Sequence, residues 1–459
     1  MNARWHTSRR RHFRTLGAAA LTLAGAAPAA CAPERPGGGG AGGAGGQPVS
    51  LRFMTRGSDG YKAWFTQMAD LYHQRNPRVA VEVEHVTGSP SYHEKLITQQ
   101  AAGDPPDTVF TTNDFMFEEA AKGMLLDLTA FFTASKLKKG DYFAAALEPQ
   151  FLRGKLFAMP VDYGVWLLWF NEEMLKKAGV PAPSDRWTWD DYRKYAQALT
   201  LDRSGRSADQ PGFDPTQVVQ YGAERNFGGN AGWKIITESN GAPWVTKELD
   251  RCLLETAGCV DSFQQIVDLD ARYHAVVSLA NPVPGTWSFP AGNVAMAVRG
   301  SWVLSNLNQP GVTFGWDVAP GPTGRARWWT IGEASGISTP RGARHPDESW
   351  DLNVSMTGPE GQASGFPAGV STVPALPRVA ADQFAKVTRP AGMKTVLSVL
   401  PKAGFPFYQE VISGETIANE IFAKELPPMW RAEKTPKEVL PRVAQLVTDV
   451  LKKERDLKV

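Results

Sequence analysis

Between Val49 and Asp114 the sequence switches back and forth between a two-residue and a helical period, and that alternation leaves few folds open. Val49, Leu51 and Phe53 alternate with polar residues, and Arg56-Gly57-Ser58-Asp59-Gly60 reads as the turn that follows. Trp64, Phe65, Met68, Leu71 and Tyr72 share one helical face, which stops before Asn76-Pro77. Val79, Val81 and Val83 predict a second strand, residues 92–102 a second helix, and Thr108 to Thr112 a third strand. A β-α-β-α-β order calls for an open, mainly parallel sheet. Ligands of such sheets bind beyond the carboxyl ends of the strands. That rule makes Arg56, Asp59, Asn113 and Asp114 candidate ligand-binding residues.

A second informative stretch runs from residue 154 to 200. Gly154-Lys155 reads as a tight turn into a strand, Leu156 to Met159, which Pro160 is expected to stop for want of an N–H. The apolar run Val165 to Phe170 predicts a buried strand. Between the two, Pro160-Val161-Asp162-Tyr163 is where the chain is expected to change course. Asn171 then caps a helix with Glu172 and Glu173 in its first turn and Lys176 and Lys177 in its last, ended by Gly179. Thr188 or Asp190 caps the next one, from Trp189 to about Thr200.

Gly154, Lys155, Pro160, Asp162, Asn171, Lys177-Ala178-Gly179, Pro183, Thr188 and Trp189 follow, in order, a pattern that this stretch shares with a known family. It resembles the bacterial extracytoplasmic solute-binding proteins of ABC importers, in the sugar-binding group that includes maltose-binding protein. Phe157 and Phe170 depart from it, standing where tyrosine is usual. Asn76-Pro77, Gly103-Asp104-Pro105-Pro106-Asp107 and Lys122 to Leu128 match the same family, so the resemblance covers most of the first 200 residues. It implies a two-lobed α/β periplasmic-binding-protein fold, type II-like, each lobe a mixed, mainly parallel sheet flanked by helices. The ligand would lie in the cleft beside the first crossing, near Asp162 and Tyr163.

A chain of 459 residues is too long for one core, in keeping with two lobes. The expected first lobe comprises residues 48–160 and 328–380, the second 163–326 and 388–459. Crossings would fall near 160–163, 326–330 and 375–388.

Residues 1–31 carry five arginines and no acid, so the formal charge of +2 falls to −3 for the remainder. No basic surface suggestive of nucleic acid is left. The basic head and the short apolar run Leu16 to Ala27 read as an export signal rather than a membrane span. Arg10, Arg11 and Phe13 resemble a twin-arginine signal. Ala29-Ala30-Cys31 resembles a lipobox, with Pro28 where leucine is usual, and makes Cys31 the expected acylation site. The glycine-rich residues 32–48 read as a flexible tether.

Beyond residue 200 the patterns loosen. Residues 202–217 read as a polar surface loop. Asn226 to Trp233 resembles the family segment that brings an aromatic to the cleft, and residues 291–302 its hairpin presenting Trp302 towards a sugar. Trp329 to Thr339 resembles the strand returning to the first lobe, with Glu333 near the cleft, and Trp287 joins the aromatic candidates. Fifteen tryptophans suit either a Trp-rich core or an aromatic cleft for flat sugar faces. Cys252 and Cys259 lie too far apart for a bond on one unbroken helix, but Gly258 suggests a turn between them. An isolated nearby pair outside the cytoplasm is then expected to form a structural disulfide.

No G-x-S-x-G, P-loop, G-x-G-x-x-G or H-E-x-x-H occurs, and the seven histidines have no metal spacing. The expectation is a monomeric binding lipoprotein, not an enzyme, with no cofactor or metal, a carbohydrate ligand, ABC permease subunits as partners, and membrane contact only through a lipid anchor. A carbohydrate-active enzyme with an Asp/Glu pair, a sensor or adhesion lipoprotein, and a polyamine-binding protein are the alternatives.

Overall fold

The computed structural model describes residues 48–227, 232–365, 373–387, 390–406 and 411–454. Its strands are β1 (Val49–Arg56), β2 (Val79–Val86), β3 (Thr108–Thr112), β4 (Phe151–Leu152), β5 (Lys155–Leu156) and β6 (Met159–Asn171). They continue with β7 (Leu201–Asp202), β8 (Val218–Ala223), β9 (Val294–Gly300), β10 (Trp316–Ala319), β11 (Gly332–Ser338) and β12 (Val373–Pro374). Ten of them form one sheet, eight along a hydrogen-bonded path in the order β2-β1-β3-β11-β6-β9-β8-β7 and two, β10 and β12, paired to β6 off that path. Pairing is parallel in β2-β1-β3 and in β8-β9, and antiparallel where β11, β9, β10 and β12 meet β6.

The first helices are α1 (Asp59–Arg75), α2 (Ser89–Ala101) and α3 (Asn113–Ala121). The β-α-β-α-β reading of residues 49–112 therefore matches the structure. α1 buries Trp64, Phe65, Met68 and Tyr72 against Leu51, Phe53 and Phe110. Asn171 caps the helix Glu172–Lys177 by accepting from Met174 N at 2.9 Å. Thr188 and Asp191 form a capping box at the start of Trp189–Leu199.

Pro160 does not stop a strand. β6 begins at Met159 and runs straight through the segment expected to turn. The missing N–H is tolerated because Pro160 sits opposite Gly336, where the register with β11 shifts between Ser335 and Gly336. β6 also changes partner along its length: Val165 is the last residue paired with β11, and Trp166, opposite Gly300, the first paired with β9. One strand thus joins the β2-β1-β3-β11 half of the sheet to the β9-β8-β7 half. Residues 291–302 form β9 and a short 3-10 turn, Ser301–Val303, rather than a hairpin.

The core divides along the same strand. Leu168 and Phe170 join a cluster with Trp189, Trp233, Phe263, Leu440 and Val447, the last two from the helix Pro436–Glu454. Tyr163, Val165, Leu167 and Trp169 join another, with Leu128, Phe289, Leu304, Trp350 and Leu376. Trp169, Trp233 and Trp244 are among the most deeply buried side chains, so much of the tryptophan content fills the core.

Candidate ligand site

Two groups of the anticipated residues come into view, one at the carboxyl edge of β1 to β3 and one on β6. At the edge, Arg56 closes β1 and donates from its guanidinium to Thr112 Oγ1 at the end of β3. The guanidinium carbon lies 5.8 to 6.0 Å from the ring centroids of Tyr92, Phe110 and Phe115. Asp59 is exposed as the first residue of α1, where a carboxylate complements the helix dipole. Asn113 and Asp114 directly follow the carboxyl end of β3, where they open α3, and their side chains lie outside the described set. His85 of β2 joins this edge through Thr55, with Nδ1 and Oγ1 3.3 Å apart, and burial lowers its pKa.

On β6, Asp162 is buried and accepts from the Tyr61 hydroxyl at 3.0 Å. Two residues on, Gly164 pairs with Glu333 of β11. Glu333 Oε1 accepts from the indole N–H of Trp166 at 2.9 Å. The Trp302 ring completes the group, 6.0 Å from the Trp166 ring at an interplanar angle of 82°. It lies against two glycines: a Cβ on Gly164 would come within 2.9 Å of it, and one on Gly300 within 2.0 Å. Neither position tolerates a side chain without moving the ring.

Other anticipated residues go elsewhere. Tyr163 points to the opposite face of β6, as strand alternation requires, and is fully buried. Its hydroxyl takes the room a side chain on Gly332 would need, and burial, then the nearby Glu333, raises its pKa. Trp233 is a core residue, its ring 5.4 Å from Phe263 and 5.9 Å from Phe422. The helix Gly232–Ser239 that carries it is buried along most of its length. Trp287 donates to Val283 O at 3.0 Å and meets Tyr221 edge-on at 4.9 Å, in a satellite cluster with Val218 and Val294.

The disulfide expectation fails too. Cys252 and Cys259 are both free and buried, and burial pushes their thiols up to about 12 and about 11. The two sit on separate elements, since Cys252 precedes the helix Ala257–Ala271 that carries Cys259, and Cys259 Sγ instead approaches Pro243 O at 3.4 Å. Cys31 lies outside the described residues.

Trp166, Gly164, Glu224 and Arg299 are the residues that sequence reasoning passed over. Glu224 follows β8 and is held by Phe289 N at 2.5 Å and Asn226 Nδ2 at 2.8 Å, with Arg299 Nε 3.5 Å away. The strand-end rule used for the first half of the sheet, applied to the parallel pair β8-β9, finds this group. Trp166 was visible only as part of an apolar run.

Two surface hollows lie away from both groups. One, of about 510 Å³, is lined by Asp190, Arg193, Asn240, Asp268, Tyr273 and Arg325, and one of about 550 Å³ lies beside Arg75, Tyr142 and Glu360. Among the described residues no three His, Cys, Asp or Glu side chains are grouped to hold a metal ion, and no helix is long and apolar enough to cross a membrane.

Residues 57–363 match the family model of the bacterial extracellular solute-binding proteins, and the chain belongs to that family. The chain is 28% identical over 160 residues to an uncharacterized lipoprotein of Streptomyces antibioticus, a match covering 33% of this chain and 34% of the relative. Among solved structures it resembles an ABC substrate-binding protein from Listeria monocytogenes in complex with cycloalternan, with a TM-score of 0.76 and 19% identity. That match covers 90% of this chain and all of the other. A solute-binding protein from Thermotoga lettingae bound with α-D-tagatose gives 0.75 and 17%, covering 88% and 100%. The fold is thus the two-lobed periplasmic-binding-protein fold.

Proposed function

We propose that this protein captures a carbohydrate in the cleft between its lobes and delivers it to the membrane subunits of an ABC importer. The observation that carries this reading is the Trp302 indole seated on Gly164 beside Trp166 and Glu333, on the strand that both halves of the sheet share. A flat aromatic face next to polar groups is what a sugar, with apolar faces and a rim of hydroxyls, requires. The sugars named with the Listeria and Thermotoga structures support it.

In this reading Arg56, Asp59, Asn113 and Asp114 form the first lobe's rim, Asp162 lies at the crossing, and Trp302 stacks on a sugar ring. The lobes are residues 48–160 with 328–380 and 163–326 with 388–459, and closure is favoured when ligand bridges them. Residues 1–31 serve as an export signal of twin-arginine type, Cys31 carries the lipid, and residues 32–48 tether a monomer outside the cytoplasm. The protein transforms no substrate and needs no cofactor.

A thermal-shift screen of the protein against mono- and oligosaccharides tests the reading. At least one sugar should raise the melting temperature and be recovered unchanged. No shift with any sugar, or release of a cleavage product, would refute it.

A further inference from the structure

Trp166 was assigned no role by its sequence context, yet it makes two contacts of functional interest. Its N–H is taken by Glu333 Oε1 at 2.9 Å, and its ring stands nearly perpendicular to Trp302, 6.0 Å away at 82°. The ring is half-buried, with its inner side on the core around Leu168. Trp302 in turn rests on Gly164 and Gly300, so its ring is backed by main chain at the corner where it meets Trp166. Glu333 and Gly164 are directly paired, which puts the carboxylate on the same face of the sheet as this corner.

From this geometry we infer that Trp166 is a second wall of the sugar site and that Glu333 is a positioning residue acting through it. The inference rests on the carbohydrate reading given above and refines it. A sugar ring lying on Trp302 brings its rim against Trp166, so the two indoles together contact a face and an edge of the same ring. A free indole N–H would let Trp166 rotate about its side-chain torsions. The bond to Glu333 fixes the plane, and fixing a wall in advance lowers the entropic cost of binding. Towards Trp166, Glu333 supplies an acceptor, and a neutral amide oxygen serves there as well as a carboxylate.

The test uses protein labelled with ¹⁵N-tryptophan, in which Trp166→Phe and Trp302→Phe assign the two indole N–H resonances. Without sugar, Glu333→Ala should move the Trp166 resonance and open its N–H to solvent exchange, while Glu333→Gln should leave both properties near those of the parent. An unmoved resonance in Glu333→Ala overturns the positioning role. Maltose, mannobiose and tagatose are then titrated in as probes, together with any sugar that raises the melting temperature. Both resonances should shift together, and Trp166→Ala and Glu333→Ala should each weaken binding by about tenfold, with Glu333→Gln within about twofold of the parent. A response of Trp302 alone leaves the carbohydrate reading standing and overturns the second wall. Silence of both resonances towards every sugar overturns the carbohydrate reading itself, and this inference with it. Equal losses in Glu333→Gln and Glu333→Ala would show that the charge binds the sugar directly, which also overturns the positioning role.

Discussion

The Tyr61 hydroxyl donates to Asp162 Oδ2 at 3.0 Å, tying the first helix to the strand shared by both halves of the sheet. Both groups are buried, so the bond has no water to replace it. Tyr61→Phe should therefore cost about 1–3 kcal/mol of stability, the range for taking the donor from a buried acceptor. Urea denaturation followed by tryptophan fluorescence measures it. A loss below about 0.5 kcal/mol would show that Asp162 finds an equivalent donor.

Trp302 makes the complementary case, a large ring whose removal should spare the fold and damage binding. Trp302→Ala is expected to weaken binding of the sugar found by thermal shift by about 1–3 kcal/mol. Calorimetry on the variant, with circular dichroism to establish that it is folded, decides the matter. Unchanged affinity would place the ligand elsewhere.

Burial of Cys252 and Cys259 has a chemical signature. With thiols raised to about 12 and about 11, almost no thiolate exists near neutrality. Native protein should resist iodoacetamide at pH 8 and take up two labels at these positions once unfolded. The unfolded thiols titrate near 9, so their contribution to stability is complete below pH 9. It is lost as pH rises through 11 to 12, because the unfolded chain releases protons that the folded one retains. Melting temperatures measured from pH 8 upwards should fall across that window, and a Cys252→Ser, Cys259→Ser variant should fall less.

Asp202 responds in the opposite direction. Ser204 Oγ donates to its carboxylate at 2.6 Å, with the backbone N–H groups of Ser204, Arg206 and Asp214 adding further bonds, and these hold its pKa down to about 2. Its stabilising effect on the 203–217 loop is present above the ordinary value of 3.8 and is lost as pH falls through about 2. Pepsin cleavage in this loop should rise over that interval, and Asp202→Asn should be cleaved readily already at pH 4. A pattern independent of this residue would show that other contacts order the loop.

Local chemistry was legible where it depends on neighbours in sequence. The caps at Asn171 and Thr188 and the buried face of α1 follow from spacing alone, and each is found. Pro160 misled because its tolerance within β6 depends on a register shift opposite Ser335 and Gly336, a partner more than 170 residues away. Trp233 and Trp287 misled for a related reason. Sequence shows that a tryptophan is present but not whether its ring turns towards a core or a cleft. A family motif drew attention to Trp302, whereas nothing local marked Trp166, whose indole N–H is taken by a carboxylate 167 residues further on.

The partner change along β6 has a mechanical meaning. The same thirteen-residue strand is stitched into both halves, so the two cannot shift relative to one another without deforming β6. Cutting the chain to obtain either half alone would leave this strand with an open edge of unpaired N–H and C=O groups and a row of stranded core side chains. Neither half of the sheet can therefore be borrowed as an independent module, because each would lose the strand that completes it.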